Sequence, residues 1–264
     1  MSDGRPVAVI TGAARGVGAA TARRLAAAGW CVGLVDRCAD DPALRYPLAS
    51  RADLDEVAAA CGPDVVTHVA DVRDPEGLDA AVASVADRFG GLDAAIAAAG
   101  AIGGGPMTWE TSDELWDAMI DINLTGVWRF ARAAVPHLLA RPEPRRGRFV
   151  AVASAAGARG MPRLGAYVAA KHGVVGLVRA MAAEVGPHGV TANAVSPGST
   201  RTTMLDASAA VYDLDDVEEF VQHQPVGRLL GPDEIAAAVV WLCAEEASGV
   251  NGTVLAVDGG MTAT

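Results

Sequence analysis

The chain has 264 residues, 51% of them apolar, 20% charged and only 5% aromatic, with 30 glycines. That length and apolar content suit one large α/β core and exclude a disordered, collagenous or coiled-coil chain. The formal charge of -11 argues against nucleic acid or an anionic membrane surface as a partner.

In chain order, the opening MSDGRPVAVITG reaches an apolar run at once, with no charged n-region, long h-region or cleavage site, so a cytoplasmic chain is expected. Strand-length apolar runs follow at Val7–Thr11, Cys31–Asp36, Val65–Ala70, Leu92–Ala97, Phe149–Ser154, Val190–Val195 and Val254–Val257. Between them lie helix signals: Arg23 to Ala28 closed by Gly29, Asp74 with Pro75 at a first helical position, and Asp233 leading Ile235–Cys243. The spacings are too long for hairpins and demand crossover helices, hence a parallel sheet. The expected fold is α/β, a Rossmann-type doubly wound seven-stranded parallel sheet forming a single domain over residues 1–264. No run of about 18 residues is free of charges and breakers, so no membrane span is expected.

Two segments exceed a minimal alternation. Arg37–Arg51 (RCADDPALRYPLASR) reads as a cofactor-side insertion and Thr200–Gly231 as a substrate-side loop, because both leave the carboxyl ends of strands, where such sheets bind ligands. The Pro/Arg cluster Arg141–Arg148 reads as a surface turn. The four cysteines, Cys31, Cys38, Cys61 and Cys243, lack CxxC spacing and read as reduced thiols. His172, His188 and His223 have no ligand-like spacing, so no metal is expected.

Directly after the first run, TGAARGVG places Gly12, Gly16 and Gly18 at a strand-to-helix turn. A dinucleotide pyrophosphate needs close backbone approach there and free N–H groups at a helix N-terminus. Asp36 ends the second run 18 residues past Gly18, where a carboxylate accepts from both adenosine ribose hydroxyls and repels a 2′-phosphate. Arg15 and Arg37 pull the other way, since a guanidinium can pair with that phosphate; a fixed carboxylate outweighs two mobile arginines, which favours NAD over NADP. Asp71, in ADVRD, is a candidate for the adenine edge or an ordinary acid at a helix start.

Tyr167 and Lys171 are four apart in LGAYVAAKHG and share one helix face. Lys171 is the only lysine among 21 basic residues. An ammonium can bind ribose hydroxyls, lower a neighbouring phenol's pKa and exchange protons, none of which a guanidinium does in the same way. Ser154, 13 residues before Tyr167, can donate to a substrate oxygen as alkoxide character develops, or simply cap a turn. Asn123, in IDINLTGVW, is one of three asparagines and sits in an amphipathic helix, where a solvent-facing position is the simple alternative.

These residues, with SPGSTRT at Ser196–Thr202, resemble the short-chain dehydrogenase/reductase family in order and spacing over nearly the whole length. The resemblance implies that Tyr167 is the acid/base, Ser154 polarises substrate, Lys171 holds the nicotinamide ribose and Asn123 anchors a relay water. It also implies cofactor contacts from Val17, Val72, Ala98 and Gly100, with Pro197, Gly198, Thr200 and Thr202 at the nicotinamide end. One departure is Ala97, Ala98, Ala99, Gly100, where the family usually has two asparagines before Ala-Gly, which puts the hydrogen bonds of this central strand in doubt. The segment Arg37–Arg51 is similar to the insertion of the mycofactocin-coupled subgroup, which implies a tightly held NAD reoxidised by mycofactocin. The implied partners are a small alcohol or ketone and, by family analogy, three further copies in a homotetramer. Two other readings are an NADPH-dependent 3-oxoacyl reductase and a non-catalytic dinucleotide sensor; the first would need a cation in place of Asp36, and sensors tend to lose the acid/base residue.

Overall fold

All seven apolar runs become strands: β1 (Val7–Thr11), β2 (Cys31–Asp36), β3 (Val65–Val69), β4 (Ala94–Ala97), β5 (Arg148–Val152), β6 (Thr191–Pro197) and β7 (Val254–Val257). In this computed structural model, which describes residues 4–263, they form one sheet in the order β3-β2-β1-β4-β5-β6-β7, every neighbouring pair parallel. The helices are α1 (Gly16–Ala27), α2 (Arg51–Cys61), α3 (Pro75–Phe89), α4 (Asp113–Ile120), α5 (Gly126–Leu139), α6 (Gly165–Val185), α7 (Thr203–Val211) and α8 (Pro232–Cys243).

Alternate residues of one strand feed two cores. Ala8 and Ile10 of β1 pack with Leu25 of α1, Leu54 of α2 and Ile235 and Val239 of α8. Val7 and Val9 pack with Leu78 and Val82 of α3, Phe130 of α5 and Val174 and Val178 of α6. Burial on both faces explains why the strands are continuous apolar runs rather than alternating ones. Each fully buried Leu, Val or Phe contributes about 1.5–3 kcal/mol.

Half of the eight helix starts, those of α2, α3, α4 and α8, are chemically marked. Ser50 and Asp53 form a reciprocal capping box on α2, and Asp74 accepts the Glu76 N–H at 3.1 Å with Pro75 at the first position of α3. Helix α8 starts one residue earlier than its acidic signal suggests: Gly231 is the cap, its N–H held by Glu234 at 2.8 Å, while Asp233 reaches across to pair with Arg24 of α1. Helix α1 likewise starts well before Arg23, at Gly16, with no side-chain cap and no acidic residue in its first turn.

The two long segments are structured. Arg37–Arg51 overlaps the first residue of α2, so its irregular part ends at the Ser50 cap. Thr200–Gly231 is not one loop but contains α7 and a 3₁₀ turn at Val217–His223, because its Ala-rich first half propagates a helix. Leu205, Ala209, Phe220 and Leu229 of this segment form a third, smaller apolar cluster. Arg141–Arg148 is a turn only up to Gly147, since Arg148 is the first residue of β5.

Central β4 keeps both neighbours despite its alanines, pairing Ala97 with Thr11 of β1 and with Ala151 of β5. Thr11 Oγ1 accepts the Ala99 N–H at 3.4 Å just beyond the strand. Sheet order reverses between β1 and β4, which opens a crevice at their carboxyl ends.

Candidate active site

That crevice is a cavity of about 690 Å³, within the range of small-molecule and cofactor sites. Its floor is the glycine turn. A Cβ on Gly18 would lie 2.1 Å from the Gly12 carbonyl oxygen, and one on Gly12 would lie 2.6 Å from the Ala99 backbone, so both positions exclude a side chain. The glycines bring the uncapped end of α1 to the cavity, where the free N–H groups and the helix dipole favour an anion.

Asp36 closes the far side of this floor. Its Oδ2 accepts the Ala14 N–H at 3.0 Å and its Oδ1 the Cys38 N–H at 3.2 Å, leaving a lone pair on each oxygen for ribose hydroxyls. The two arginines that were expected to compete for a 2′-phosphate are committed elsewhere. Arg15 pairs with Asp53 at 2.8 Å, and Arg37 with Asp41 at 2.5 Å and Asp71 at 3.2 Å. Hydrogen bonds from Arg15 and Ser50 hold the Asp53 carboxyl well below the usual range. Asp71 lines the cavity but does not cap α3, which Asp74 does. Burial works to raise its pKa, yet hydrogen bonds and charge from Arg73 prevail and lower it. Arg73 and Arg37 both pair with the carboxylate, which still lines the cavity.

The other end of the cavity holds the proton-transfer groups. Tyr167 and Lys171 stand one turn apart on α6, at 5% and 3% exposure, with Lys171 Nζ 5.7 Å from the centre of the phenol ring. Ser154 lies two residues past the end of β5. Its Oγ accepts the Ala156 N–H at 3.1 Å, so it caps the short 3₁₀ turn Ala155–Gly157. Capping and substrate polarisation are thus compatible, because the hydroxyl hydrogen stays available after the oxygen accepts.

The expectation that Lys171 draws Tyr167 downward is not met in this geometry. Burial pushes Tyr167 up to about 12, only partly offset by Ser154, and lowers Lys171 to about 8. Lys171 Nζ donates to the Val152 carbonyl at 2.9 Å and lies over the ring face rather than beside the hydroxyl. Two of its three N–H donors remain for acceptors in the cavity.

Asn123 departs from the solvent-facing reading made of it. It is fully buried, not solvent-facing, in a π-helical turn at Asp121–Thr125 between α4 and α5. Its Oδ1 accepts the Ala101 N–H at 3.1 Å and its Nδ2 donates to the Met119 carbonyl at 3.0 Å, tying the turn to the loop after β4. It stands behind Gly100, where a Cβ would come 3.1 Å from its Oδ1 and 3.6 Å from Lys171 Nζ. The remaining candidates, Gly12, Arg15, Gly16, Val17, Gly18, Asp36, Val72, Ala98, Gly100, Pro197, Gly198, Thr200 and Thr202, all line the cavity.

Sequence reasoning passed over the apolar wall around Tyr167, made by Ile102, Met161, Leu164, Met204, Leu205 and Phe220. It also passed over the reach of Tyr46, whose hydroxyl accepts the Ile102 N–H at 3.0 Å. The signal for Tyr46 was its rarity, as one of three tyrosines. Among the described residues, no group of three His, Cys, Asp or Glu side chains is placed to hold a metal ion, and all four cysteines are free thiols.

Lys171→Arg is expected to lower kcat/KM about a hundredfold at unchanged charge, because a planar guanidinium cannot keep the Val152 bond and present donors in the same directions. Steady-state kinetics on a variant with wild-type circular dichroism measures this, and near-normal activity removes the argument from the lone lysine.

The family model described as enoyl-(acyl carrier protein) reductase matches residues 12–262. An uncharacterized NAD-dependent oxidoreductase of Mycobacterium tuberculosis is 36% identical over 264 residues, which cover 96% of this chain and 94% of that one. The (-)-trans-carveol dehydrogenase of Rhodococcus erythropolis is 38% identical over 271 residues and 97% of each chain. The solved structure of carveol dehydrogenase from Mycobacterium avium in complex with NAD matches at a TM-score of 0.92 and 37% identity, over 98% of both chains. With likeness of this extent from end to end, the chain belongs to the short-chain dehydrogenase/reductase family of oxidoreductases.

Proposed function

We propose that the protein is an NAD-dependent dehydrogenase of apolar secondary alcohols, or in reverse a ketone reductase, in which NAD stays bound between turnovers and is reoxidised by mycofactocin. The observation that carries this reading is the position of Tyr167, where an anion-ready glycine turn and an apolar wall meet across one cavity. The residues fit the cofactor: the uncapped end of α1 suits the pyrophosphate, Asp36 the adenosine ribose, and the two unspent donors of Lys171 the nicotinamide ribose. When bound, the nicotinamide accepts a hydride from the alcohol carbon or returns one to the carbonyl.

The protein's own part is proton management and exclusion of water. Tyr167 Oη takes the alcohol proton during oxidation and gives it back during reduction. Ser154 keeps its O–H to donate to the substrate oxygen, strengthening as negative charge develops there. Asn123 sets the loop after β4 against the π-helical turn, and so positions Gly100 beside Lys171. The carveol dehydrogenase relatives and the methionine- and leucine-rich wall support an apolar, carveol-like alcohol as substrate.

Assembly as a homotetramer is supported by tryptophans left exposed on two helical faces, Trp116 on α4 and Trp128 on α5 at 40% and 45%, and Trp241 on α8 at 44%. No helix among the described residues is long and apolar enough to cross a membrane.

Retention of NAD is supported by the segment after β2, whose Tyr46, Pro47, Leu48 and Ala49 line the cavity above Asp36. Native mass spectrometry of the purified protein is expected to find NAD(H) bound. Added free NAD should support little steady oxidation of a carveol-like alcohol until a two-electron acceptor is supplied, since trapped NADH stalls the enzyme after one turnover. A protein that purifies empty and cycles freely with added NAD overturns the retained-cofactor reading.

A further inference from the structure

The segment between β2 and α2 is fastened at three places. Asp41, with its side chain only 3% exposed, pairs with Arg37 at 2.5 Å and with Arg73, in the loop after β3, at 2.7 Å. Its Oδ1 also accepts the Ala43 N–H at 2.9 Å. Leu44 is then buried in the core cluster beneath α3 and α5. Two residues further on, the Tyr46 hydroxyl accepts the Ile102 N–H at 3.0 Å, in the loop after β4.

Sheet order gives these anchors their meaning. β3 and β4 are separated by β2 and β1, so a chain tied to the loops after both strands crosses about 14 Å of sheet edge. The tips it crosses are those that carry Asp36 and the glycine turn. The segment is therefore a strap over the dinucleotide groove, with a doubly ion-paired anchor at one side and a single neutral hydrogen bond at the other. A buried carboxylate held by two guanidiniums is the stronger fastening, and a hydroxyl-to-amide bond the one that yields first. Tyr46 and Tyr167 line the same cavity.

We propose that Tyr46 is a positioning residue that latches the strap to Ile102 and sets the rate at which the dinucleotide leaves, while the substrate mouth under α7 stays open. This rests on the reading of a retained NAD given above and names the contact that retains it. The latch leaves the Tyr46 hydrogen free to donate downward, because the oxygen is the acceptor for Ile102. Sequence neighbours support the same shape: Leu48 N–H is held by Asp40 at 2.8 Å, folding the chain back toward α2 once it has crossed.

The test is NADH release, followed by loss of bound NADH fluorescence on chasing the loaded protein with excess NAD, in wild type, Tyr46→Phe and Tyr46→Ala. Phe keeps the ring and loses the bond, so release is expected to accelerate roughly three- to tenfold. The melting temperature of the NAD-free protein should fall by no more than about 2–4 °C, the share of one hydrogen bond in a fold of this size, whereas a purely structural tyrosine would lower it without changing release. Ala removes the packing as well and should release faster still. Equal release in wild type and Tyr46→Phe, within twofold, overturns the latch. The ratio of rates decides the latch, whereas occupancy of purified wild type decides the retained-cofactor reading, so either can fail alone.

Discussion

Tyr167→Phe is expected to reduce turnover below a hundredth of wild type while NAD binding stays within about twofold, because the change removes one transferable proton and keeps ring, burial and fold. Single-turnover hydride transfer separates this from slow product release, and binding is measured on the same preparation. Residual turnover above a hundredth would remove Tyr167 from the acid/base role. The pH profile carries a sign that follows from burial. Desolvation raises the phenol to about 12, so phenolate, the base for oxidation, is scarce at neutral pH and grows tenfold per pH unit, whereas the neutral phenol, the acid for reduction, is abundant. Oxidation should therefore quicken as pH rises, while the acid step of reduction should stay flat until the pH approaches that of the phenol itself. Above about 8 the loss of the Lys171 proton adds a decline in cofactor grip.

Asp36→Ala is expected to weaken NAD binding by roughly ten- to a hundredfold, the loss of a charged acceptor for two hydroxyls. The gain for NADP should be small. With the carboxylate gone, Arg15 is still tied to Asp53 and Arg37 to Asp41 and Asp71, so neither swings freely onto a phosphate. The double change Asp36→Ala with Asp53→Asn releases Arg15 and should raise NADP affinity well beyond the single variant. Titration of both cofactors by protein fluorescence reads both effects, and a wild type that prefers NADP reverses the assignment. The ion pairs correct a view from sequence alone, in which both arginines stand ready for phosphate once Asp36 is removed.

Strands β1 and β2 were legible because crossover-connected strands inside the sheet are buried on both faces, and the runs Val7–Thr11 and Cys31–Asp36 match them residue for residue; the run Val254–Val257 matches β7 although that edge strand is only partly buried. The Tyr167/Lys171 pair was legible because helical spacing is local. What escaped depends on contacts between residues far apart in the chain. The start of α1 carried no capping residue to read, and that lack is what frees its N-terminus for a phosphate. Asn123 looked like a solvent-facing helix residue because nothing local shows that a π-helical turn will rotate it inward onto Met119 and Ala101. Tyr46 finds its partner 56 residues away, a pairing that only the order of strands in the sheet creates.

The small cluster of Leu205, Ala209, Phe220 and Leu229 is separate from both sheet-facing cores. An element that owns its own hydrophobic centre opens as a unit, at a free energy set by those few side chains rather than by the whole fold. The part of the wall that belongs to this cluster, Leu205 and Phe220, is thereby set apart from Ile102 and Leu164, which belong to the main core. Exchanges within the cluster can reshape that part of the wall with their largest effect on local rather than global stability. On the function proposed above, substrate preference and cofactor retention would be set by different parts of one crevice.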